Sequence, residues 1–420
     1  MSSSRRIGSV LYICNQRKVC EMRTEATKRP SAASANVVLP EIRLREFLMS
    51  ISKALPKLIR FIGSDVVRAH PLWGRVIPFH VPSYGSYPSS GHSVRPDILI
   101  TKDGPKFTEL DFVASGMGGI PSALGTEQAA QFVDVVESWL RAMDTEHIRF
   151  ATGSTTTADS ECAAIAQLLR KRGWDAQAIN IDSFTEAHHP KTLISRMFYS
   201  AEMKMPESMR HLPGRRVVTA EPWLDSKAVF ALVHDPLMTG SLERALGANN
   251  LAFLRSAMPE TWLIRNLDHE QMATILDAQQ QYVIKATDVE TSTCWGSRAV
   301  IPGIQCSRAR FAQALRGTCE LGRWPIVQKF HQSLDFRETW NRMVDGEFSD
   351  HYPLISERDP KIWEPVSEYV GAKFGVFFLV VNHPDKDICT FAPFADTALR
   401  KNSAILFFAQ DAKPAVFQVI

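Results

Sequence analysis

The sequence Arg95-Pro-Asp-Ile-Leu-Ile-Thr-Lys-Asp-Gly-Pro-Lys-Phe-Thr-Glu-Leu-Asp111 predicts a β-hairpin around which the rest of the fold can be arranged. Residues 97–100 have the apolar pattern of a buried strand, and residues 102–105 have the composition of a turn. Residues 106–112 then alternate as a returning strand does. The segment therefore predicts two antiparallel strands joined by a short turn.

Three carboxylates of this hairpin are predicted to lie together. Side chains alternate between the faces of a strand, so Glu109 and Asp111 point to one side, and strand pairing brings Asp97 near them. Such acids repel one another unless a cation lies between them, and hard oxygen ligands are those that Mg²⁺ prefers. The glycine-rich residues 115–121 offer backbone amides to an anion. The alternative is a surface hairpin with solvated acids, followed by a flexible turn.

Length and composition indicate a soluble globular protein of two or three domains. The chain has 420 residues, of which 45% are hydrophobic and 22% are charged. A net charge of +3 is too small to indicate nucleic acid or an anionic membrane as a partner, and no apolar run reaches the roughly 18 residues of a membrane span. The seven cysteines form no CxxC pair, which favours a reducing, cytoplasmic setting over a disulfide framework or a zinc site.

Periodicity predicts the order of helices and strands along the chain. Strand 147–153, helix 159–172 and strand 176–181 form a β-α-β unit of Rossmann-like character, and a further strand is predicted at 192–199. The loop after the first of these strands lacks a dinucleotide fingerprint, so NAD is not predicted. Other helices are predicted at 41–69, 127–143, 225–234 with Asp225 as its N-cap, 241–257 and 268–278. The predicted division is a basic, mobile tail (1–35), the hairpin-containing half (36–144), a Rossmann-like lobe (145–222) and a last part (223–420).

A second polar signal lies at Lys285, which ends the predicted strand 281–285. A lysine inside a strand is costly unless its ammonium reaches an anion. The polar loop after it leads to another strand from Gly296, and a loop between two such strands can fold over phosphates. Residues 323–331 then predict an edge-like strand whose backbone could bond an adenine. The alternative for Lys285 is a side chain that extends from a strand end into solvent.

Taken in this order, the segments from about residue 70 to 350 resemble the ATP-grasp superfamily. More narrowly, they resemble its circularly permuted branch, which includes glutathionylspermidine synthase. In ordinary members the lysine strands come first and an E-x-N metal motif comes last. Here Glu109-Leu-Asp111 precedes Lys285 by well over a hundred residues, which is the order of the permuted branch.

The resemblance implies an α/β fold of α+β lobes, in which a two-lobed nucleotide clasp carries an added Rossmann-like lobe. It implies a ligase that joins a carboxylate to an amine through an acyl phosphate, with ATP and Mg²⁺ as cofactors and small molecules or peptides as substrates. Mg²⁺ is assigned to Asp97, Glu109 and Asp111. The nucleotide is assigned to Lys227, Lys285, Ser292, Thr293, Gly296, Ser297, Arg298 and Gln328, with Gln328 at the adenine hinge. The candidate catalytic arginines are Arg95 and, on spacing alone, Arg337 and Arg342.

Two other functions remain open. Ala286 stands where relatives have proline, Asp111 replaces the metal asparagine, and the phosphate loop contains one glycine, Gly296. A nucleotide-binding regulatory or structural protein of the same fold, without ligase activity, also fits this pattern. A nucleotide-dependent phosphotransferase, or an enzyme of unrelated chemistry, is the third possibility.

Overall fold

The structure is a computed structural model in which two β-sheets and the helices around them are described. The described residues are 44–81, 88–112, 117–118, 120–121, 126–152, 156–180, 191–196, 216–218, 221–289, 300–317, 321–333, 371–383, 387–400 and 412–418. In this part of the chain the protein has a mixed α/β fold. None of the helices there is both long enough and apolar enough to cross a membrane.

The helices form where apolar residues recur at helical spacing, so that one side of each can be buried. In chain order they are α1 (Leu44–Ile62), α2 (Asp65–Arg68), α3 (Trp73–Val76), α4 (Thr126–Ala142), α5 (Thr156–Arg170), α6 (Ala228–His234), α7 (Thr239–Leu246), α8 (Ala248–Ala257), α9 (His269–Asp277) and α10 (Arg308–Leu315).

The strands are mostly short and rich in β-branched or aromatic residues. They are β1 (Gly91–Thr101), β2 (Gly104–Asp111), β3 (His147–Thr152), β4 (Asp175–Asn180), β5 (Thr192–Arg196), β6 (Arg216–Val218), β7 (Thr261–Leu263), β8 (Tyr282–Lys285), β9 (Val300–Pro302), β10 (Ile326–Lys329), β11 (Gly371–Asn382), β12 (Asp387–Arg400) and β13 (Ala412–Gln418).

The larger sheet has the strand order β13-β12-β11-β1-β6-β5-β3-β4, and β2 pairs with β1 beside this path. Strands β1, β2 and β11 to β13 pair antiparallel. Strands β6, β5, β3 and β4 continue the sheet in parallel. The predicted β-α-β unit is confirmed, because β3 and β4 are parallel and α5 connects them. It belongs to the same sheet as the hairpin.

Helices cover both faces of the larger sheet at β11, whose side chains alternate between the two faces and are buried on both. Phe374, Val376 and Phe378 lie in a core cluster with the apolar residues of α1 and of α6 to α8. Phe377 and Leu379 lie in a second cluster with residues of α4 and α5. The sheet is thus the middle layer of this part of the molecule.

The smaller sheet has the strand order β7-β10-β8-β9. One of its faces packs on α9 and α10, where Ile284 and Val327 are fully buried beside Phe311. Ile326 points to the opposite face and joins the core cluster of the hairpin and α1. The smaller sheet therefore packs against the side of the molecule that carries β1 and β2.

The hairpin and the strand at Lys285 are confirmed. Residues 91–101 and 104–111 form β1 and β2, and Lys285 is the last residue of β8. The predicted helix 41–69 is divided into α1 and α2, and the other predicted helices and strands, where they fall in the described residues, lie within a few residues of their expected places. The boundaries of the four predicted segments stay a prediction, and residues 1–35 lie outside the described part.

Three local predictions are wrong. Asp225 does not cap α6, because a 3₁₀ turn (Pro222–Asp225) intervenes and its carboxylate accepts a hydrogen bond from the Phe112 amide at 2.7 Å instead. The helix predicted at 241–257 is two helices, separated at Gly247, whose positive φ of 85° ends α7. The strand β10 is not at an edge, because it pairs with β7 on one side and β8 on the other.

Candidate functional site

The hairpin β1–β2 brings four charged residues to one face. Arg95 pairs with Asp111 across the ladder, and Asp97 pairs with Glu109. Residues opposite each other in an antiparallel pair share a face, and so do residues two apart on one strand. The register of the two strands therefore places Asp97, Glu109 and Asp111 on one face of the hairpin, which is the grouping predicted from the sequence.

Arg95 lies between two of the acids and is almost completely buried. Its Nη2 is 3.3 Å from Asp111 Oδ2, and its Nε is 3.7 Å from Asp97 Oδ1. Gly375 on the neighbouring strand β11 makes room for it, because a Cβ built there would lie 2.6 Å from Arg95 Cδ. The arginine is thus held as an internal counter-charge for the hairpin acids, in a space that a side chain at position 375 would fill.

A further cation reaches Asp97 from β11. Lys373 pairs with Leu99 along the ladder, and its Nζ donates a hydrogen bond to Asp97 Oδ2 at 2.6 Å. Asp97 is 3% exposed, and the Lys373 side chain is 12% exposed, so this ion pair is shielded from water. Asp97 is consequently flanked by two basic side chains from two different strands.

Two lysines approach the hairpin from the side of the smaller sheet. Lys227 lies at the start of α6, and its Nζ is 2.7 Å from Glu109 Oε1. Lys285 ends β8, and its Nζ donates to the Thr108 carbonyl oxygen at 3.0 Å. Both predicted nucleotide lysines therefore meet the hairpin next to a predicted metal ligand.

Backbone contacts fix the segment that carries Lys227. Asp225 accepts a hydrogen bond from the amide of Phe112, directly after β2. Ser226 Oγ donates to the Thr287 carbonyl oxygen at 2.9 Å, two residues after Lys285. The three segments that carry Glu109, Lys227 and Lys285 are thus joined to one another by buried or half-buried hydrogen bonds, which holds their side chains in a common place.

We call the side chains of Arg95, Asp97, Glu109, Asp111, Lys227, Lys285 and Lys373 the charged cluster. Within it, burial by itself raises the pKa of Glu109, but the charges of Lys227, Lys285 and Lys373 outweigh burial and lower the pKa to about 2. Burial lowers the pKa of Lys285 to about 8, because the carboxylates of Glu109 and Asp97 offset only part of the effect of burial and of the like charges of Lys227 and Lys373. Glu109 is therefore ionised at neutral pH, whereas Lys285 loses its proton more readily than an ordinary lysine.

The cluster contains the ligand types for a metal and an anion, but its acids are engaged with cations of the protein. No group of three or more His, Cys, Asp or Glu side chains in the described residues is arranged to hold a metal ion. Glu109 bonds to Lys227, Asp97 to Lys373, and Asp111 to Arg95. The assignment of these three acids to Mg²⁺ stays a prediction.

Gln328 lies on β10, one strand away from Lys285. Ile326 is directly opposite Lys285, so Gln328 shares the face of the smaller sheet that carries the lysine. Its side chain is buried and donates to Thr261 Oγ1 at 3.1 Å. Since both edges of β10 are occupied, the backbone of this strand is not free to bond an adenine, and a role for Gln328 at an adenine hinge stays a prediction.

The structure brings together Arg95, Asp97, Glu109, Asp111, Lys227 and Lys285 out of the residues singled out in the sequence. The remaining ones lie outside the described residues: Ser292, Thr293, Gly296, Ser297, Arg298, Arg337 and Arg342. Sequence analysis missed Lys373 and Gly375. The available signal was a lysine and a glycine at the head of the apolar run 374–381, which predicts a buried strand.

Comparison with known proteins adds little to this geometry. No protein-family model matches the chain, and no curated protein matches it. One crystal structure of similar shape is that of a candidate gamma-glutamylcysteine synthetase from Methylobacillus flagellatus KT. The alignment covers 90% of this chain and 88% of that chain, with 10% sequence identity and a TM-score of 0.42. A similarity this weak carries no argument about function.

Proposed function

We propose that this chain is an ATP-dependent carboxylate–amine ligase, which forms an amide or peptide bond and releases ADP and phosphate. One observation carries the proposal. Residues from three distant parts of the sequence, namely the hairpin acids, Lys227 and Lys285, meet in one cluster at the contact between the two sheets. This is the combination of acids and lysines that a metal–nucleotide site needs.

The residues of the cluster fit both groups in their chemistry. The carboxylates of Asp97, Glu109 and Asp111 are hard oxygen ligands of the kind that Mg²⁺ binds. Asp97 Oδ1 is buried and makes no hydrogen bond within the described residues, so it is an acceptor that a bound cation would satisfy. Lys227 and Lys285 supply the ammonium groups that phosphate oxygens accept hydrogen bonds from. When bound, Mg²⁺ would neutralise phosphate charge during transfer.

In the proposed reaction the chain positions charges and supplies no nucleophile. A substrate carboxylate oxygen attacks the γ-phosphorus of ATP and ADP leaves, and an amine nitrogen then attacks the acyl carbon, so that phosphate leaves and the nitrogen loses a proton. Lys285 and Lys227 hold phosphate oxygens, and Arg95 keeps Asp97 and Asp111 in place. Catalysis of this kind is mostly positioning and electrostatic stabilisation.

A second candidate is a nucleotide-binding protein of the same fold without ligase activity. The pairing of Glu109 with Lys227 and of Asp97 with Lys373 favours it, because these ion pairs balance the acids without any metal. In that case the cluster would bind a nucleotide as a regulatory ligand and leave its phosphates intact.

Release of ADP and phosphate from ATP separates the two candidates. The purified chain is assayed with Mg²⁺ alone, then with pools of amino acids and polyamines as carboxylates and amines. The ligase predicts phosphate release that requires Mg²⁺ and increases when both a carboxylate and an amine are present. Retained ATP binding without turnover in any pool supports the second candidate, and no ATP binding at all contradicts both.

Matched variants connect the activity to the cluster. Lys285→Ala removes a cluster lysine of the smaller sheet, whereas Lys329→Ala removes a lysine of the adjacent strand that pairs with Glu260 at the surface. Loss of ATP binding in the first variant and not in the second assigns the nucleotide to the cluster. Equal behaviour of the two variants contradicts that assignment.

The setting of the reaction is part of the same proposal. The scattered cysteines and the ordinary net charge support a cytoplasmic enzyme that acts on small-molecule or peptide substrates, without nucleic acid or a membrane as partner.

A further inference from the structure

Lys373 is the residue of the charged cluster that the sequence motifs did not predict. It lies in the C-terminal part of the chain, on a strand that pairs with β1 along most of its length. Alternation along β11 puts Lys373 on the same face as Gly375, which accommodates Arg95, and as Phe377, which packs towards α4. Among the mostly apolar side chains of β11, one ammonium group is therefore directed at Asp97.

The contact between Lys373 and Asp97 occupies one of the two carboxylate oxygens of a predicted metal ligand. Asp97 Oδ2 accepts the hydrogen bond from Lys373 at 2.6 Å, while Oδ1 faces Arg95 Nε at 3.7 Å. The pair is buried, and a buried charge that loses its partner is strongly destabilising. Asp97 Oδ2 therefore needs a cation beside it, and a metal ion can take this oxygen only as the Lys373 ammonium leaves it.

The balance of charge in the cluster limits what can enter it. Four basic side chains, Arg95, Lys227, Lys285 and Lys373, stand against the three carboxylates, so the cluster already has an excess of one positive charge before any ligand binds. A free divalent cation would add to that excess, whereas a metal–nucleotide complex brings net negative charge and offers phosphate oxygens to the displaced ammonium groups.

We infer that Lys373 is a built-in counter-cation of Asp97 that excludes free divalent cations and yields its place to a metal–nucleotide complex. The inference rests on the proposed function, because it takes the hairpin acids as the metal ligands. It makes Lys373 a positioning residue: it holds Asp97 in the ligand-free protein and makes metal binding depend on the nucleotide.

Binding of Mn²⁺ in the absence of nucleotide tests this directly. Mn²⁺ titrations of the full chain are followed by electron paramagnetic resonance, with the wild type, Lys373→Met and Lys373→Gln. The wild type is expected to bind free Mn²⁺ weakly, and removal of the ammonium charge is expected to raise the affinity by about tenfold or more. Lys373→Gln keeps a hydrogen-bond donor for Asp97, so it provides a folded variant if Lys373→Met does not fold.

Two controls make the result specific. Lys329→Met removes a surface lysine that pairs with Glu260 and should leave Mn²⁺ affinity unchanged. The double variant Asp97→Asn/Lys373→Met lacks the carboxylate and should lose the gain.

The outcomes distinguish the inference from the function on which it rests. If the wild type binds Mn²⁺ with a non-hydrolysable ATP analogue but the folded Lys373 variants gain no affinity for free Mn²⁺, the inference is wrong and the function stands. If no protein binds Mn²⁺ even with the analogue, both are wrong. A gain in the Lys373 variants that the double variant loses supports the inference.

Discussion

Strand β1 contributes to two buried polar sites that are only a few residues apart. They differ in how their polar side chains are paired. At its start His92 is buried and forms neutral contacts, with Ser89 Oγ 3.2 Å and Asn382 Nδ2 3.1 Å from His92 Nε2. Further along, Arg95 and Asp97 belong to the charged cluster, where ion pairs replace neutral hydrogen bonds.

The difference indicates different roles for the two sites. Around His92, hydrogen bonds from Asn382 Nδ2 to the Ser89 carbonyl oxygen and from the Ser89 amide to the Glu221 carboxylate at 2.9 Å connect the start of β1 with the end of β11 and with Glu221. We call this group of contacts the joint. The charged cluster instead holds four basic side chains against three carboxylates, an excess of positive charge that suits the anionic metal–nucleotide ligand proposed above. Substitutions at the cluster should therefore affect activity, and substitutions at the joint should affect stability.

Loss of two acids is expected to have the largest effect. Glu109→Gln with Asp111→Asn should abolish Mg²⁺-dependent ATP turnover, because the hairpin loses two of its three predicted metal ligands. The fold should persist with a modest decrease in Tm, since Lys227 and Arg95 lose partners. Phosphate release and circular dichroism measure the two effects. The matched control is Asp175→Asn, because Asp175 on β4 pairs with Arg149 on β3, away from the charged cluster. Normal turnover in the double variant would contradict the metal assignment.

Lys285→Ala should weaken nucleotide affinity by about one to two orders of magnitude, the value of one or two charge-assisted phosphate contacts. Lys285→Arg should restore little of it, because a guanidinium is broader than an ammonium. Calorimetric titration with a non-hydrolysable ATP analogue measures both affinities, and unchanged affinity in Lys285→Ala means that the lysine does not contact the nucleotide.

The nucleotide affinity measured in this titration should depend on pH through the protonation of Lys285. Burial lowers the pKa of this lysine to about 8, so its ammonium is lost as the pH rises through that value. Nucleotide affinity of the wild type should fall as the pH is raised from 7 to 9, and Lys285→Ala should lack this fall. A pH profile that is identical in the two proteins contradicts a phosphate contact by the charged lysine.

The joint at His92 should respond to acid in its stability. Burial lowers the pKa of His92 to about 3, so below pH 6.5 the unfolded chain takes up a proton that the folded chain does not. Stability should fall as the pH drops from 6.5 towards 3, by about 2 kcal/mol between pH 7 and pH 5. Burial raises the pKa of Glu221, which acts in the opposite direction at lower pH. Urea unfolding of wild type and His92→Asn isolates the histidine, and parallel pH profiles rule out its contribution.

Gly375→Ala is expected to have the smallest effect, a several-fold decrease in kcat/KM with the protein still folded. The new Cβ would lie 2.6 Å from Arg95 Cδ, so the arginine has to shift and its contacts with Asp97 and Asp111 lengthen. Gly240→Ala in α7 is the control, because its Cβ meets only a flexible arginine end at 3.6 Å. Equal kinetics of the two variants would show that Arg95 tolerates displacement.

The sequence is informative where structure depends on neighbours in the chain. The hairpin was predictable because its alternation and turn are local, but the pairing of Asp97 with Glu109 was not, because the register that the turn sets shifts by one residue between Asp97 and Ile98. The contact of Lys373 with Asp97 was not predictable, because it depends on β11 pairing with β1 across nearly 280 positions. The interior position of β10 was missed for the same reason, because it depends on pairing with β7, a strand far from β10 in the sequence.

The proposed ligase requires that the charged cluster bind a divalent cation and a nucleoside triphosphate together. Calorimetric titration of the full chain with a non-hydrolysable ATP analogue, in the presence and absence of Mg²⁺, tests it most directly, with Mg²⁺ alone as the third titration. We expect saturable binding at one site when both are present and much weaker binding of either alone. Equal affinity for the analogue without Mg²⁺, or no binding under any of the three conditions, would contradict the claim.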